Sequence, residues 1–256
     1  MIGMIDTKVV ILAGGYGTRL GKLTKLKPKP MVDVHGKPIL IHVMNIYKKY
    51  LIKKFIICIG YKGDVIRNYF LKKFKKNIIK KNKKELLIKN NDIEIHIIYT
   101  GKRSLTGGRI KRIKKYVKYL KYFYMTYGDG LANINIKKLT NFHLKSKKMA
   151  TVTVVKIEVP QERFGVVYFK NKNIVKKFLE KPNIKHIYIN GGFFVLSSKI
   201  FNYIKSDKTR WEAYPMQKIA KLKKLAAYKH SGFWKCMDTP RDRIFLEKFK
   251  RKAPWI

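Results

Sequence analysis

The 256-residue chain is 46% hydrophobic and 13% aromatic, enough apolar material for one large domain or two small ones, which excludes a disordered chain. Two cysteines, 17 glycines and 8 prolines exclude disulfide-rich and collagen-like classes. Sixty Lys and Arg against 15 Asp and Glu give a net charge of +45, a field that draws anions.

That charge does not by itself specify a nucleic-acid partner. Arg, the residue suited to forked contacts with guanine and phosphate, supplies 10 of the 60 cations, and Lys the other 50. The lysines run from Lys8 to Lys252 instead of forming a tail, as expected of solvated faces. Nucleotides and sugar phosphates are natural partners of such a surface, and no dedicated nucleic-acid partner is expected. Cys58 and Cys236 share no metal or redox spacing and fit a reducing compartment. The start, MIGMIDTK, reads neither as a signal peptide nor as a targeting helix, and no apolar run reaches the ~18 residues of a membrane span. A cytoplasmic protein without membrane contact is expected.

Val9–Ala13 is an apolar run entering Gly14-Gly15 and predicts a buried strand. Pro38–Tyr50 predicts a helix with a proline in its first turn, and Phe55–Ile59 a second buried strand. Gly63–Phe74 predicts a helix with Val65, Ile66, Tyr69 and Phe70 on one face. The densest basic stretch, residues 72–89, reads as an exposed loop or helix face. Ile93–Tyr99 reads as a strand. After Gly107-Gly108, Ile110, Ile113, Val117 and Leu120 recur at helical steps. Phe123–Thr126 reads as a strand ending in Gly128-Asp129-Gly130. This alternation predicts an α/β fold with a mainly parallel sheet. Further strands are expected at Ala150–Ile157, Phe164–Phe169, Ile174–Leu179 and Ile187–Leu196, with a turn at Asn171-Lys172-Asn173. Helices are expected at Ile136–Lys145, Lys199–Ile204 and Arg241–Lys250. No linker or internal repeat interrupts the chain.

The strongest motif is the loop Leu12-Ala13-Gly14-Gly15-Tyr16-Gly17-Thr18-Arg19. Glycines leaving a strand let main-chain N–H groups approach phosphate oxygens with no Cβ in the way. It is not a P-loop, because Gly21-Lys22 is followed by Leu23 and position 16 is Tyr. It is not the dinucleotide fingerprint, because Leu20 stands where the third glycine belongs. Arg19, and Lys29 held between Pro28 and Pro30 in an extended segment, add fixed cations that can neutralise a triphosphate. Asp129 and Asp238 each sit at a strand-to-loop junction, where two carboxylates could share one Mg²⁺. Alternatively Asp129 stabilises a turn, and Asp238 caps the last helix ahead of Pro240. Thr106 is placed to cap the helix that follows it, whose N-terminus would attract an anion. Gly191-Gly192 interrupts an apolar strand, as happens where a ligand or a bulge lies close. The six histidines show no ligand spacing, and no Ser/His/Asp signature suggests a covalent intermediate.

GGYGTRL followed by KPKPM and GKPIL resembles the sugar-phosphate nucleotidyltransferases. FIICIGYKGDVI, LTGGRIKR, FYMTYGDG, FLEKP, INGGFFVL, Trp211-Glu212, GFWKCMDTPRD and the closing APW are similar to the members of that family that use CTP and glucose 1-phosphate. The resemblance implies a Rossmann-like nucleotidyltransferase fold, with a nucleotide-binding half over about residues 8–130 and a sugar-phosphate-binding half over about 131–256 of one domain. It implies Mg²⁺-dependent attack of the sugar phosphate on the α-phosphate of CTP, giving CDP-glucose and pyrophosphate for polysaccharide biosynthesis, by a homo-oligomer. It makes Asp129 and Asp238 the metal ligands and Lys181 the holder of the sugar phosphate. Tyr127, Glu180, Asn190, Gly191, Trp211 and Glu212 would shape the glucose pocket. Thr106, Gly107, Gly108, Arg109 and Lys111 would meet base or phosphates.

Overall fold

Five apolar residues in a row make a strand that is covered on both faces. In β1 (Val9–Ala13), Val9, Ile11 and Ala13 enter one hydrophobic core, and Val10 and Leu12 enter another on the opposite face. The structure is a computed structural model that describes residues 6–158, 166–171, 174–179, 186–249 and 252–255. The other strands are β2 (Asp33–Val34), β3 (Lys37–Pro38), β4 (Lys54–Ile59), β5 (Ile78–Lys81), β6 (Glu85–Asn90), β7 (Ile93–Tyr99), β8 (Phe123–Tyr127), β9 (Gly130–Ala132), β10 (Ala150–Glu158), β11 (Val166–Asn171), β12 (Ile174–Leu179), β13 (His186–Leu196), β14 (Leu225–His230) and β15 (Trp234–Cys236). The helices are α1 (Ile39–Lys48), α2 (Gly63–Lys73), α3 (Thr106–Arg112), α4 (Lys114–Val117), α5 (Ile136–Ser146), α6 (Tyr214–Lys221) and α7 (Pro240–Glu247).

Among the described residues, nine strands form one sheet in the order β14-β10-β13-β8-β1-β4-β7-β6-β5. The centre is parallel: β1 pairs with β4 on one side and β8 on the other, and β4 pairs with β7. Antiparallel strands extend it at both ends, so the sheet is mixed. Residues of α1, α2 and α5 pack into the core below β1, and residues of α3, α4 and α6 into the core above it. Chain order reverses at β1, with β4 to one side and β8 to the other. That reversal opens a crevice beyond the carboxyl ends of β1 and β8, where ligands bind in open α/β sheets.

The expected central strands and helices are present, three expectations change, and some elements were not expected. Residues 72–89 are not a loop or helix face beyond α2: β5 and β6 form a hairpin that continues the sheet, with Leu86 and Ile88 buried and Lys80 and Lys81 on the exposed edge strand. Edge lysines discourage pairing with another chain. The helix after Gly107 breaks at Ile113 into α3 and α4, though Ile110, Ile113, Val117 and Leu120 are all buried as the spacing required. Lys199–Ile204 is a 3₁₀ turn at Ser198–Tyr203 rather than an α-helix. Finally, α6, β9, β14 and β15 lack a sequence signal strong enough to announce them. Residues 164, 165, 172, 173 and 250 lie outside the described residues.

Candidate active site

The loop after β1 and the loop after β8 line a cavity of about 450 Å³ at this crevice. Leu12, Ala13, Gly14, Gly15, Tyr16, Gly17, Thr18 and Arg19 all border it. Gly17 has a φ of +66°, a left-handed conformation that side chains resist, and Lys29 Cβ would lie 3.0 Å from any Cβ there. Gly15 has open space around it on the cavity wall, so main chain is what it presents to a ligand. The Gly14 carbonyl is fixed from behind by the Tyr61 N–H at 3.2 Å and by Arg109 at 2.7 Å.

Lys29 is buried, at 8% exposure. Pro28 is extended as expected, but Lys29–Met31 then forms a single 3₁₀ turn instead of an extended segment. The turn aims the Lys29 ammonium between two carboxylates, 2.5 Å from Asp129 Oδ2 and 2.5 Å from Asp238 Oδ1. Burial opposes its charge, yet the attraction and hydrogen bonds of Asp129 and Asp238 prevail and its pKa is raised. Arg19 reaches Asp238 Oδ2 at 3.0 Å.

Strand register explains why the two acids meet. In the antiparallel pair β9–β15, Cys236 lies opposite Gly130, and the Met237 N–H then bonds the Asp129 carbonyl at 2.9 Å. Asp129 thus faces Met237, and Asp238 is the next residue along the chain. The capping alternative for Asp238 is not realised: Thr239 is the N-cap of α7, in a reciprocal capping box with Asp242. Asp238 therefore keeps its carboxylate for the cavity. Ligand atoms of Asp129, Asp238 and Cys236 lie within 4.8 Å of one another, a group able to hold a metal ion. Burial, reinforced by Asp129, raises the pKa of the Cys236 thiol and keeps it protonated. Cys236 was not expected here, since one cysteine without a partner spacing carries no sequence signal.

Other expected site residues divide. Thr106 and Tyr127 border the cavity, joined through Glu212, whose two carboxylate oxygens accept from the Tyr127 hydroxyl at 2.5 Å and the Thr106 hydroxyl at 2.6 Å. Burial, followed by the Glu212 charge, pushes the Tyr127 pKa up, so it acts as a donor. Thr106 does not cap α3, whose N-cap is Leu105; its hydroxyl also accepts from the Trp211 N–H at 2.9 Å. Trp211 is no cavity wall: its side chain is fully buried in the core against Phe194. Gly107 and Gly108 do not border the cavity either. A Cβ on Gly108 would lie 2.3 Å from the Asp207 carbonyl oxygen, and one on Gly107 would lie 2.8 Å from that of Thr209. These glycines let α3 pack against the 207–209 backbone.

Arg109 borders the cavity, but its guanidinium is committed to the protein. It bonds Gly14 O, the Ile59 carbonyl at 3.3 Å, the Gly101 carbonyl at 2.8 Å and Thr100 Oγ1 at 2.9 Å. It acts as a strut behind the glycine loop. Lys111 turns away to the Lys205 carbonyl at 2.6 Å. Asn190 accepts from the Gly192 N–H at 2.8 Å, and the Gly191 carbonyl accepts from the Trp234 indole at 2.7 Å. Gly192, with a φ of +79°, lies against the Tyr127 ring, while β10 and β13 shift register opposite this segment. Glu180 and Lys181 lie outside the described residues. Arg103, Ser104 and Leu105 border the cavity unannounced; their position just ahead of the Thr106-Gly107-Gly108 motif was the one available signal. Among the described residues no helix is long and apolar enough to cross a membrane.

Comparison with known proteins matches residues 8–239 to the nucleotidyl transferase family. The chain is 44% identical to a glucose-1-phosphate cytidylyltransferase of Salmonella typhimurium, over 97% of this chain and 98% of that protein. It is 40% identical to a probable glucose-1-phosphate cytidylyltransferase of Bacillus subtilis, over 94% and 95% of the two chains. Among solved structures, HddC from Yersinia pseudotuberculosis complexed with GMP-PN superposes with a TM-score of 0.67 at 26% identity, covering 95% of this chain and 99% of that one. The glycine loop, the paired aspartates and this full-length similarity agree: the chain belongs to the nucleotidyl transferase family.

Proposed function

We propose that the protein joins CTP to α-D-glucose 1-phosphate, giving CDP-glucose and pyrophosphate. One observation carries the reading: the ion group of Lys29, Asp129, Asp238 and Arg19 sits at the mouth of a glycine loop, in a cavity large enough for a nucleotide. The choice of CTP and glucose rests on the 44% identity to a glucose-1-phosphate cytidylyltransferase. An oxygen of the sugar phosphate attacks the α-phosphorus, forming one P–O bond as the bond to pyrophosphate breaks. A sugar phosphate is already anionic at neutral pH, so no strong base is required, and rate comes from alignment and charge stabilisation.

Loop amides from Gly14 to Thr18 cradle the triphosphate. Arg19 and Lys29 stabilise charge moving onto pyrophosphate, and Lys181 aligns the attacking phosphate. Glu212 orients Tyr127, and Glu180 and Asn190 serve the sugar hydroxyls. Asp129 and Asp238 supply the hard oxygen donors that suit Mg²⁺, and their oxygens converge on one point, which the Lys29 ammonium fills. Bound there, Mg²⁺ would add positive charge against the phosphates of both substrates. Residues of about 8–130 would form the nucleotide side and those of about 131–256 the sugar side of a cytoplasmic homo-oligomer without a nucleic-acid partner.

Incubation with glucose 1-phosphate and each of CTP, UTP, dTTP and GTP, read as pyrophosphate release, tests the proposal. CTP should lead, and preference for another base would overturn the cytidylyl assignment. Asp129→Asn and Asp238→Asn should each lower kcat by roughly 10²–10³ in Mg²⁺. Near-normal turnover by both would overturn the roles given to the acids.

A further inference from the structure

Resting on the reading of Asp129 and Asp238 as the cation-binding pair, we propose that Lys29 is a built-in counter-ion that keeps this pair closed to a free divalent cation until a triphosphate draws the ammonium away. The first support is geometric. Lys29 Nζ is 2.5 Å from a carboxylate oxygen of each acid, and its side chain is only 10% exposed. A cation settling between the same oxygens must displace an ammonium already paired with both of them. Arg19, 3.0 Å from Asp238, neutralises the outer side of that acid.

The second support is the charge of the whole cavity. Its charged lining consists of Arg19, Lys29, Arg103 and Arg109 against Asp129 and Asp238. Four cations against two carboxylates leave the cavity positive before any substrate enters, within a chain of net charge +45. An isolated divalent cation is repelled there, whereas a triphosphate is attracted. Phosphate oxygens give Lys29 and Arg19 new anionic partners, and the two carboxylates are released together. The order follows: nucleotide first, or nucleotide and metal as one complex, but never metal alone.

Titration of the free protein with Mn²⁺, followed by loss of the aqueous Mn²⁺ signal in electron paramagnetic resonance, reads this without turnover. Wild type should bind weakly. Lys29→Met, which keeps most of the side-chain length and removes the charge, should bind at least about tenfold more tightly. Lys29→Arg, which restores a cation, should return to weak binding. Lys29→Met/Asp129→Asn should lose the gain. Circular dichroism establishes that each variant is folded, and a Mn²⁺-dependent rise in Tm confined to Lys29→Met gives a second readout. If Lys29→Met is unstable, Lys29→Gln takes its place with the same expectation.

Equal Mn²⁺ affinity in wild type and Lys29→Met overturns the proposal. If that shared binding is abolished by Asp129→Asn, the metal assignment survives and only the gating role fails. If no variant binds Mn²⁺, or if binding ignores Asp129, the metal assignment fails with it.

Discussion

Replacing Arg109 by Met tests whether the glycine loop is held from behind. Arg109 is 4% exposed, and its guanidinium donates to four acceptors, none of them charged. Burial disfavours its charge and lowers its pKa, so the hydrogen bonds must compensate for the lost solvation. Two acceptors keep another donor after truncation: Ile59 O retains the Thr100 N–H at 2.9 Å, and Gly14 O retains the Tyr61 N–H at 3.2 Å. The half-buried Gly101 carbonyl loses the bond shown here, and a stranded acceptor costs up to about 1–3 kcal/mol. Loss of the remaining charged bonds adds to this, while removal of a buried unpaired charge offsets part of it. A net loss of about 2–3 kcal/mol is expected, and at roughly 2–4 °C per kcal/mol for a chain of this size Tm should fall by roughly 4–12 °C. Freed on one side, residues 14–19 should also grip the triphosphate less well, raising the nucleotide KM more than kcat falls. Arg109→Lys should behave almost as badly, because one ammonium cannot span four acceptors. Thermal unfolding and initial rates against CTP are the measurements. A Tm within about 1 °C of wild type would refute the energetic argument. A lowered Tm with an unchanged KM would refute the link to the loop.

Three further outcomes are expected. Gly15→Ala places a methyl in open cavity space, so stability should hold within about 0.5 kcal/mol while kcat/KM for CTP drops roughly ten- to a hundredfold; unchanged kinetics would mean the loop amides do not meet the nucleotide. Gly108→Ala drives a Cβ into the Asp207 backbone, so thermal unfolding should show about 1–3 kcal/mol of destabilisation, and a wild-type Tm would contradict the close packing of α3. His143 is buried against Thr151, and burial lowers its pKa to about 4. Below pH ~6.5 the unfolded chain takes up a proton that folded His143 refuses, so its contribution falls by about 1.4 kcal/mol per pH unit down to pH ~4 and is intact above pH ~6.5. His143→Gln should flatten the plot of Tm against pH across that window; an unaltered slope would exclude His143 as a contributor.

Local chemistry was legible where one segment carries the whole signal. Val9–Ala13 followed by glycines can only be a buried strand entering a loop, and the alternation of elements fixes the parallel centre of the sheet. Misreadings arose where a distant segment decides. Gly107-Gly108 looks like a phosphate loop, but the atoms that exclude a Cβ belong to residues 207 and 209. Trp211 beside Glu212 looks like a sugar platform, yet in the turn ahead of α6 the ring lies in the core and the acid meets Tyr127 and Thr106. In residues 78–90 the lysine load masks the alternation of Leu86 and Ile88 that makes β6 a strand. The meeting of Asp129 with Asp238 depends on a three-residue strand pair, too short to leave a pattern in sequence.

The same ion group also accounts for how a strongly basic chain can hold two acids in a cavity meant for anions. Asp129 arrives from the end of β8, Asp238 from between β15 and α7, Lys29 from the 3₁₀ turn at 29–31 and Arg19 from the glycine loop. Three stretches distant in sequence, around residues 19–29, 129 and 238, are thus tied at one point. Each acid is paired, so neither stands as an unbalanced buried charge, which would be costly. Each cation is paired as well, so the positive field at the mouth is not quenched by stray anions before a polyphosphate arrives. A triphosphate offers more negative charge than two carboxylates and in a form that reaches both cations and loop amides together. Exchange of partners, rather than creation of charge, is then the event that opens the acids, and it costs little because every ion leaves one partner for another.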